Sequence, residues 1–239
     1  DGWWMTTRYK ALLHYAAANF VPPGSRIVTG IPLHIFGSQR AQHQISDVFR
    51  KALKAPAVTV LPQGFGALCL AISTNSALAQ GRVALVDIGS RTTELICFSD
   101  GQYLNHESAG VVLGVGQVYT QVAQKLSSQH QRPIDAYEVD WALREDKPIK
   151  MKGGVVERQA LETLVQHYVR PLATRLHNEM TRLWKEGAPG IDHLLYCGGG
   201  SALLASHLGH FRDDYTILPE SQFNNAAGYL EYIRLTSTD

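Results

Sequence analysis

Val83 to Phe98 reads VALVDIGSRTTELICF. Four apolar residues, Val83-Ala84-Leu85-Val86, suit a buried strand, and Asp87 closes the run. Gly89-Ser90 permits a sharp turn, because glycine tolerates backbone angles that other residues avoid. After Thr92 and Thr93 the chain re-enters an apolar run, Leu95 to Phe98. The stretch predicts a strand, a tight polar turn and a second strand. The turn is rich in backbone N–H groups and hydroxyls, with one carboxylate at its entrance. Such a turn cradles phosphate oxygens on its amides, and Asp87 is placed to hold a hydrated divalent cation that screens their charge. The same pattern also suits a surface hairpin with ordinary turn chemistry.

Upstream, apolar positions between Thr7 and Phe20 recur at helical spacing, and Pro22-Pro23-Gly24 ends that helix. Arg26 to Pro32 reads as a strand, Gln39 to Leu53 as an amphipathic helix, and Ala57 to Leu61 as a second short strand. The segment Pro62-Gln63-Gly64-Phe65-Gly66 leads into an apolar helix over Ala67 to Ala79. Downstream, Asp100-Gly101 signals a hairpin into a strand over Gln102 to His106. Gly110 to Gly116 opens a helix from Val118 to Leu126. Its glycines suit either an anion at the helix start or a merely permissive loop. Residues 127–154 are polar and read as a small inserted subdomain with a helix over Ala136 to Glu145. A long helix is expected from Val155 to about Lys185, adjusted at Pro171, which cannot donate a backbone N–H. His193 to Cys197 is a strand that meets Gly198-Gly199-Gly200-Ser201 and then a helix. Three glycines there let a flat ligand approach the backbone closely. Thr216 to Leu218 and a last helix over Asn224 to Leu235 close the chain.

Composition narrows the classes. The chain has 239 residues, 45% of them hydrophobic, enough for one large core or two small ones. A net charge of +1, with both signs interspersed, calls for neither a nucleic acid nor an anionic membrane as direct partner. Three cysteines in apolar contexts predict reduced, buried thiols, as in a cytoplasmic protein. No apolar run reaches the roughly 20 residues of a membrane span. No cysteine–histidine metal cluster is visible, and the ten histidines are scattered.

Two glycine-rich turns, one after a mid-chain strand and one near the C-terminus, resemble the layout of the actin and sugar-kinase superfold. DIGSRTTE, Asp87 to Glu94, resembles the second phosphate loop of the ParM/StbA-type actin-like plasmid-segregation ATPases and their archaeal relatives. LLYCGGGSALL, Leu194 to Leu204, is similar to their adenosine motif, and PQGFGAL, Pro62 to Leu68, to the segment bearing the water-orienting residue. VTGIPL, Val28 to Leu33, and FNNAAGYLEYI, Phe223 to Ile233, also resemble this family. The resemblance implies an α/β, actin-like (ribonuclease H-like) two-lobed ATPase fold. Residues 1–80 would be the remainder of the first lobe, 81–222 the second lobe, and 223–239 a helix returning to the first. Gln63 would position the attacking water, and Asp87 would organise magnesium through water. Gly89, Ser90, Arg91, Thr92 and Thr93, with Gly114, Gly198, Gly199, Gly200 and Ser201, would line the ATP site.

The family opens with an Asp-x-Gly phosphate loop, and nothing before Val28 reads that way. The chain, which starts without methionine, is therefore expected to be N-terminally incomplete, paired with a separate chain, or a degenerate relative. On that expectation it binds adenine nucleotide weakly or not at all unless the first loop is supplied. Glu94 stands where the family more often has Asp. The resemblance implies self-association into filaments, with a DNA-binding adaptor as a further partner. Two other functions fit the same superfold: an exopolyphosphatase or sugar-kinase-like phosphotransferase, against which Gln63 replaces a carboxylate base, and a non-catalytic actin-like scaffold.

Overall fold

A computed structural model describes residues 2–152 and 154–236. In the first part of the chain, α1 (Thr7–Asn19), β1 (Ile27–Ile31), α2 (Leu33–Phe36), α3 (Gln39–Leu53) and β2 (Val58–Pro62) build a small layer. β1 and β2 pair in parallel, with Thr29 opposite Val60. Ser38 caps α3 by accepting from the Ala41 N–H. The helix then buries Ala41, Ile45, Phe49 and Leu53, four residues apart, on one stripe. That stripe packs with Trp4, Leu13 and Ile31.

α4 (Phe65–Thr74) follows, shorter than its sequence suggests because Asn75 leaves the helix and caps a single 3₁₀ turn. The central hairpin is β3 (Arg82–Ile88) and β4 (Thr93–Ser99), antiparallel, with Asp87 opposite Glu94 and Ile88 opposite Thr93. Asp87 does not end the strand, which runs one residue further. β5 (Gln102–Tyr103) and β6 (Ala109–Val111) both pair with β4, at opposite ends of it. The strand expected over Gln102 to His106 thus stops early, giving way to a 3₁₀ turn at Asn105–Glu107.

α5 (Gly116–His130) and α6 (Ala136–Arg144) come next, then a hairpin of β7 (Ile149–Met151) and β8 (Gly154–Val156). Val155 therefore lies in a strand, and the long helix α7 (Arg158–Trp184) starts three residues later and continues through Pro171. Val139, Ala142 and Ile149 are buried in the same core as α5 and α7. β9 (His193–Cys197), α8 (Ser201–Leu208), β10 (Tyr215–Ile217) and α9 (Asn224–Thr236) complete the fold. The large sheet runs β10-β9-β3-β4-β5, parallel from β10 to β3 and antiparallel beyond.

Strand alternation sorts the side chains between two helical layers. Ala84, Val86 and Ile88 face the core built with α5, α7 and α8. Val83, Leu85, Ile96, Phe98, Leu195 and Cys197 face α4. With a period of two, Asp87 and Glu94 fall on the α4 face, at the open end of the sheet. α9 lies across α4 so closely that a Cβ on Gly228 would overlap the Gly66 carbonyl oxygen. Backbone contact at that crossing holds α9 beside the end of the sheet. All three cysteines are buried and unpaired. Among the described residues, no helix is long and apolar enough to cross a membrane.

Candidate functional site

Ligands of open α/β sheets bind outside the carboxyl ends of the strands. Here the parallel strands β3 and β9 last pair at Asp87 and Cys197, which are register partners. A cleft of about 930 Å³ opens there, lined by Gln63, Asp87, Glu94, the turn Gly89 to Thr92, Gly198, Gly199 and Asn225 among others. Gly198 is forced on two grounds: its φ is +84°, and a Cβ would strike Asp87 and the Ile88 carbonyl.

The turn after β3 leaves most of its amides uncommitted. The Gly89 N–H donates to the Thr92 carbonyl at 2.9 Å and closes the turn. The amides of Ser90, Arg91 and Thr92 carry no hydrogen bond among the described residues. Arg91 is exposed and has no ion pair there. The start of α5 is latched behind the turn, since the N–H groups of Val115 and Gly116 donate to the carbonyls of Gly89 and Ser90 at 3.1 and 2.8 Å.

Not every expected residue reaches the cleft. Thr93 is buried, with its hydroxyl donating to the Leu113 carbonyl at 2.7 Å. Gly114 packs against the back of the Ser90–Arg91 backbone, where a side chain would not fit. The Gly200 N–H donates to the Ile88 carbonyl at 2.9 Å, which turns this residue into the seam between β3 and α8. Ser201 lies fully buried behind it, its hydroxyl without a partner among the described residues. Gly89, Ser90, Arg91, Thr92, Gly198 and Gly199 do line the cleft, together with Gln63 and Asp87.

Two buried carboxylates dominate the electrostatics. Burial pushes Asp87 above the usual carboxylate range, against opposing hydrogen bonds from Asn225 and Cys197. Burial likewise pushes Glu94 up to about 7, opposed by the Leu33 N–H and reinforced by the Asp87 charge. Glu94 Oε2 accepts from the Leu33 N–H at 3.2 Å, while Oε1 has no partner among the described residues. The Cys197 thiol is raised by burial and by Asp87, so it stays protonated. Asp87 and Glu94 lie on one sheet face, and Asp87, at the mouth of the cleft, could hold a hydrated divalent cation through water. A dense protein cage is not what magnesium requires, and none exists among the described residues.

Glu94 and Asn225 were not evident as site residues. Glu94 could have been found by counting register across a four-residue turn, which sets it opposite Asp87. Asn225 lies on α9, far away in sequence, and only tertiary packing brings it in. It donates from Nδ2 to Asp87 Oδ2 at 2.6 Å and accepts at Oδ1 from the Gly64 N–H at 2.8 Å.

Residues 85–210 match the family model of the archaeal actin homologue MreB-like C-terminal domain. The chain belongs to this MreB-like archaeal actin homologue family. Its fold is actin-like α/β throughout. A 15-stranded ParM filament structure from Clostridium botulinum shares 21% identity and a TM-score of 0.79, over 98% of this chain and 75% of that one. The archaeal actin homologue Ta0583, in complex with ADP, shares 20% identity and a TM-score of 0.77, over 98% of this chain and 80% of that one. MreB 5 of Spiroplasma citri, bound to AMPPNP, shares 14% identity and a TM-score of 0.72, over 95% and 75% of the two chains. No curated protein matches this MreB-like chain in sequence.

The raised Glu94 carries a testable linkage. Because its folded value lies above that of the unfolded chain, the folded state holds the proton more tightly. Stability that is full below about pH 4.5 is lost as pH rises toward about 7. Glu94→Gln keeps an acceptor for Leu33 and removes the charge. Urea denaturation should show the variant and the parent nearly equal at pH 4.5. The variant should be more stable at pH 8, by up to about 3 kcal/mol. An equal difference at both pH values would show that Glu94 is not desolvated as described.

Proposed function

We propose that the chain is a nucleotide-binding actin-like protein that assembles into filaments, with hydrolysis of MgATP as the timer of the polymer. The observation that carries this reading is the cleft at the end of β3. Three uncommitted amides and Arg91 line the cleft with two buried carboxylates and Gln63. The amides of Ser90, Arg91 and Thr92 would hold phosphate oxygens. Asp87, through water, would hold magnesium, which when bound screens the phosphate charges and the charge that develops on the leaving group. Gln63 would orient a water by hydrogen bonds, since a carboxamide is not a base at neutral pH. Glu94, with its titration near neutrality, is suited to accept a proton from that water. Gly198 and Gly199 would let the nucleoside lie against the backbone.

Filament formation is supported by the fold shared with a ParM filament, and adenine nucleotide by neighbours bound to ADP and AMPPNP. Segregation of a plasmid or other DNA through an adaptor, in the cytoplasm, extends the reading from the resemblance. The experiment is light scattering with parallel phosphate release, at rising protein concentration, with MgATP, MgADP, MgAMPPNP or no nucleotide. Scattering that appears above a threshold concentration and requires nucleotide supports the reading. Steady phosphate release without scattering at any concentration would make the protein a soluble phosphotransferase or hydrolase. Assembly indifferent to nucleotide would make it a scaffold.

A further inference from the structure

Asn225 ties together two parts of the cleft that come from different segments of the chain. Its Nδ2 reaches Asp87 Oδ2 at 2.6 Å, and its Oδ1 takes the Gly64 N–H at 2.8 Å. Only one orientation of the side-chain amide serves both partners, because reversing it would put an oxygen against a carboxylate and an N–H against an N–H. Gly64 directly follows Gln63, whose own N–H donates to the Ile31 carbonyl at 2.8 Å. The backbone of the Gln63 turn is thus held from β1 on one side and from α9 on the other. Gly64 has φ +88°, and a Cβ there would strike the Ile96 side chain, so the turn tolerates no other residue at this position. Helix α9 is itself fixed, by Gly228 against Gly66 and by Tyr229 against Gly30.

We propose that Asn225 is a positioning residue that locks the Asp87 carboxylate to the turn carrying Gln63 and so sets the spacing between cation site and water site. It touches neither nucleotide nor water in this role. Helix α9 becomes the element through which a shift between the two halves of the cleft is felt at both groups at once. The inference rests on the nucleotide reading for its effect on turnover, but the strut itself is a property of the chain without ligand.

The chemistry separates the two halves of the strut. Asn225→Asp keeps the acceptor for Gly64 and replaces the donor to Asp87 by a negative charge. Asn225→Ala removes both. The other titratable groups around Asp87 are Glu94 from β4, Cys197 from β9 and Tyr229 from α9, with Cys69 of α4 near Tyr229. All remain in every variant. The test uses the full chain without nucleotide. Amide exchange at Gly64 and the carboxyl ¹³C titration of Asp87 are followed by NMR, and a thermal melt checks folding.

Asn225→Ala should accelerate Gly64 exchange by about tenfold or more and move the Asp87 titration upward. Asn225→Asp should leave Gly64 protected and still move Asp87 upward. With MgATP, both variants should lose roughly ten- to a hundredfold in kcat, the scale for a partner that orients a metal-organising group, with KM changed less than threefold. Should Asn225→Ala fail to fold, the neutral Asn225→Ser, too short to reach both partners, is read by the same Gly64 exchange. Unchanged Gly64 exchange and an unchanged Asp87 titration in the variants overturn the proposal. No turnover by the parent even when the first phosphate loop is supplied, with both NMR changes still seen in the variants, overturns the nucleotide reading and leaves the strut standing.

Discussion

In the intact protein, Asp87→Ala should reduce magnesium-dependent nucleotide turnover by on the order of a thousandfold or more, the range for removing a group that organises charge in phosphoryl transfer. The protein should stay folded. Asp87 lies at the end of β3, only 9% exposed, on the sheet face that is otherwise filled by Val83, Leu85 and Ile96. Burial raises it above the ordinary carboxylate range, so its charge at neutral pH is a burden on the fold. Removing that charge relieves the burden and strands the Nδ2 donor of Asn225. The two changes oppose each other, each about 1–3 kcal/mol. Asp87→Asn keeps the shape of the side chain and should leave stability the same or improve it, while losing turnover as Asp87→Ala does. A group kept ionisable in a place where the fold would do as well without it is there for its chemistry. Phosphate release and a thermal melt on both variants check this. Full turnover by Asp87→Ala would show that the cation is organised elsewhere.

The hairpin was legible because each feature of VALVDIGSRTTELICF says one thing. The apolar runs need burial on both faces, and Gly89 with the polar residues after it allows only a turn. The strand β9 and its three glycines were legible for the same reason. Sequence reasoning could not say which glycine does what. Gly198 and Gly199 line the cleft, whereas Gly200 joins β3 to α8 and Gly114 packs behind the turn after β3. The difference lies in neighbours distant along the chain. Thr93 shows the same limit: it sits in the turn sequence, but its strand position points the hydroxyl inward to Leu113. Strand ends were misjudged where hydrogen bonding decides them. Val155 has the apolar character of the helix that follows, yet it pairs with Lys150 across a short hairpin. Asn225 was hidden for a stronger reason. An Asn at the start of a helix is ordinary capping chemistry, and its two partners lie 138 and 161 residues away.

Gln63→Ala should cut nucleotide hydrolysis by roughly ten- to a thousandfold, as for the loss of one positioned polar group in an active site. Nucleotide affinity and assembly should change little. Gln63 lines the cleft, and its side-chain amide has no hydrogen bond among the described residues, so it is unencumbered for a water. Its backbone is the opposite, pinned by the N–H to Ile31 and, through Gly64, by Asn225. Truncation to Ala leaves those backbone bonds in place, so stability should hold within about 0.5 kcal/mol. An interaction with the attacking water is made mainly on the way to the transition state, which lowers kcat rather than ground-state binding. Because a carboxamide orients water but does not take its proton, the parent protein should itself be slow, and the proton should pass to a carboxylate. Glu94, pushed up to about 7 by burial, is the acceptor we propose. The double variant Gln63→Ala, Glu94→Gln should therefore fall well short of the product of the two single losses, since both act on one water. Single-turnover phosphate release on the four proteins measures this coupling, and light scattering should show longer-lived polymers for Gln63→Ala. Unchanged phosphate release with weakened nucleotide binding would instead make Gln63 a ligand contact, and the timing mechanism would lose its water-orienting residue.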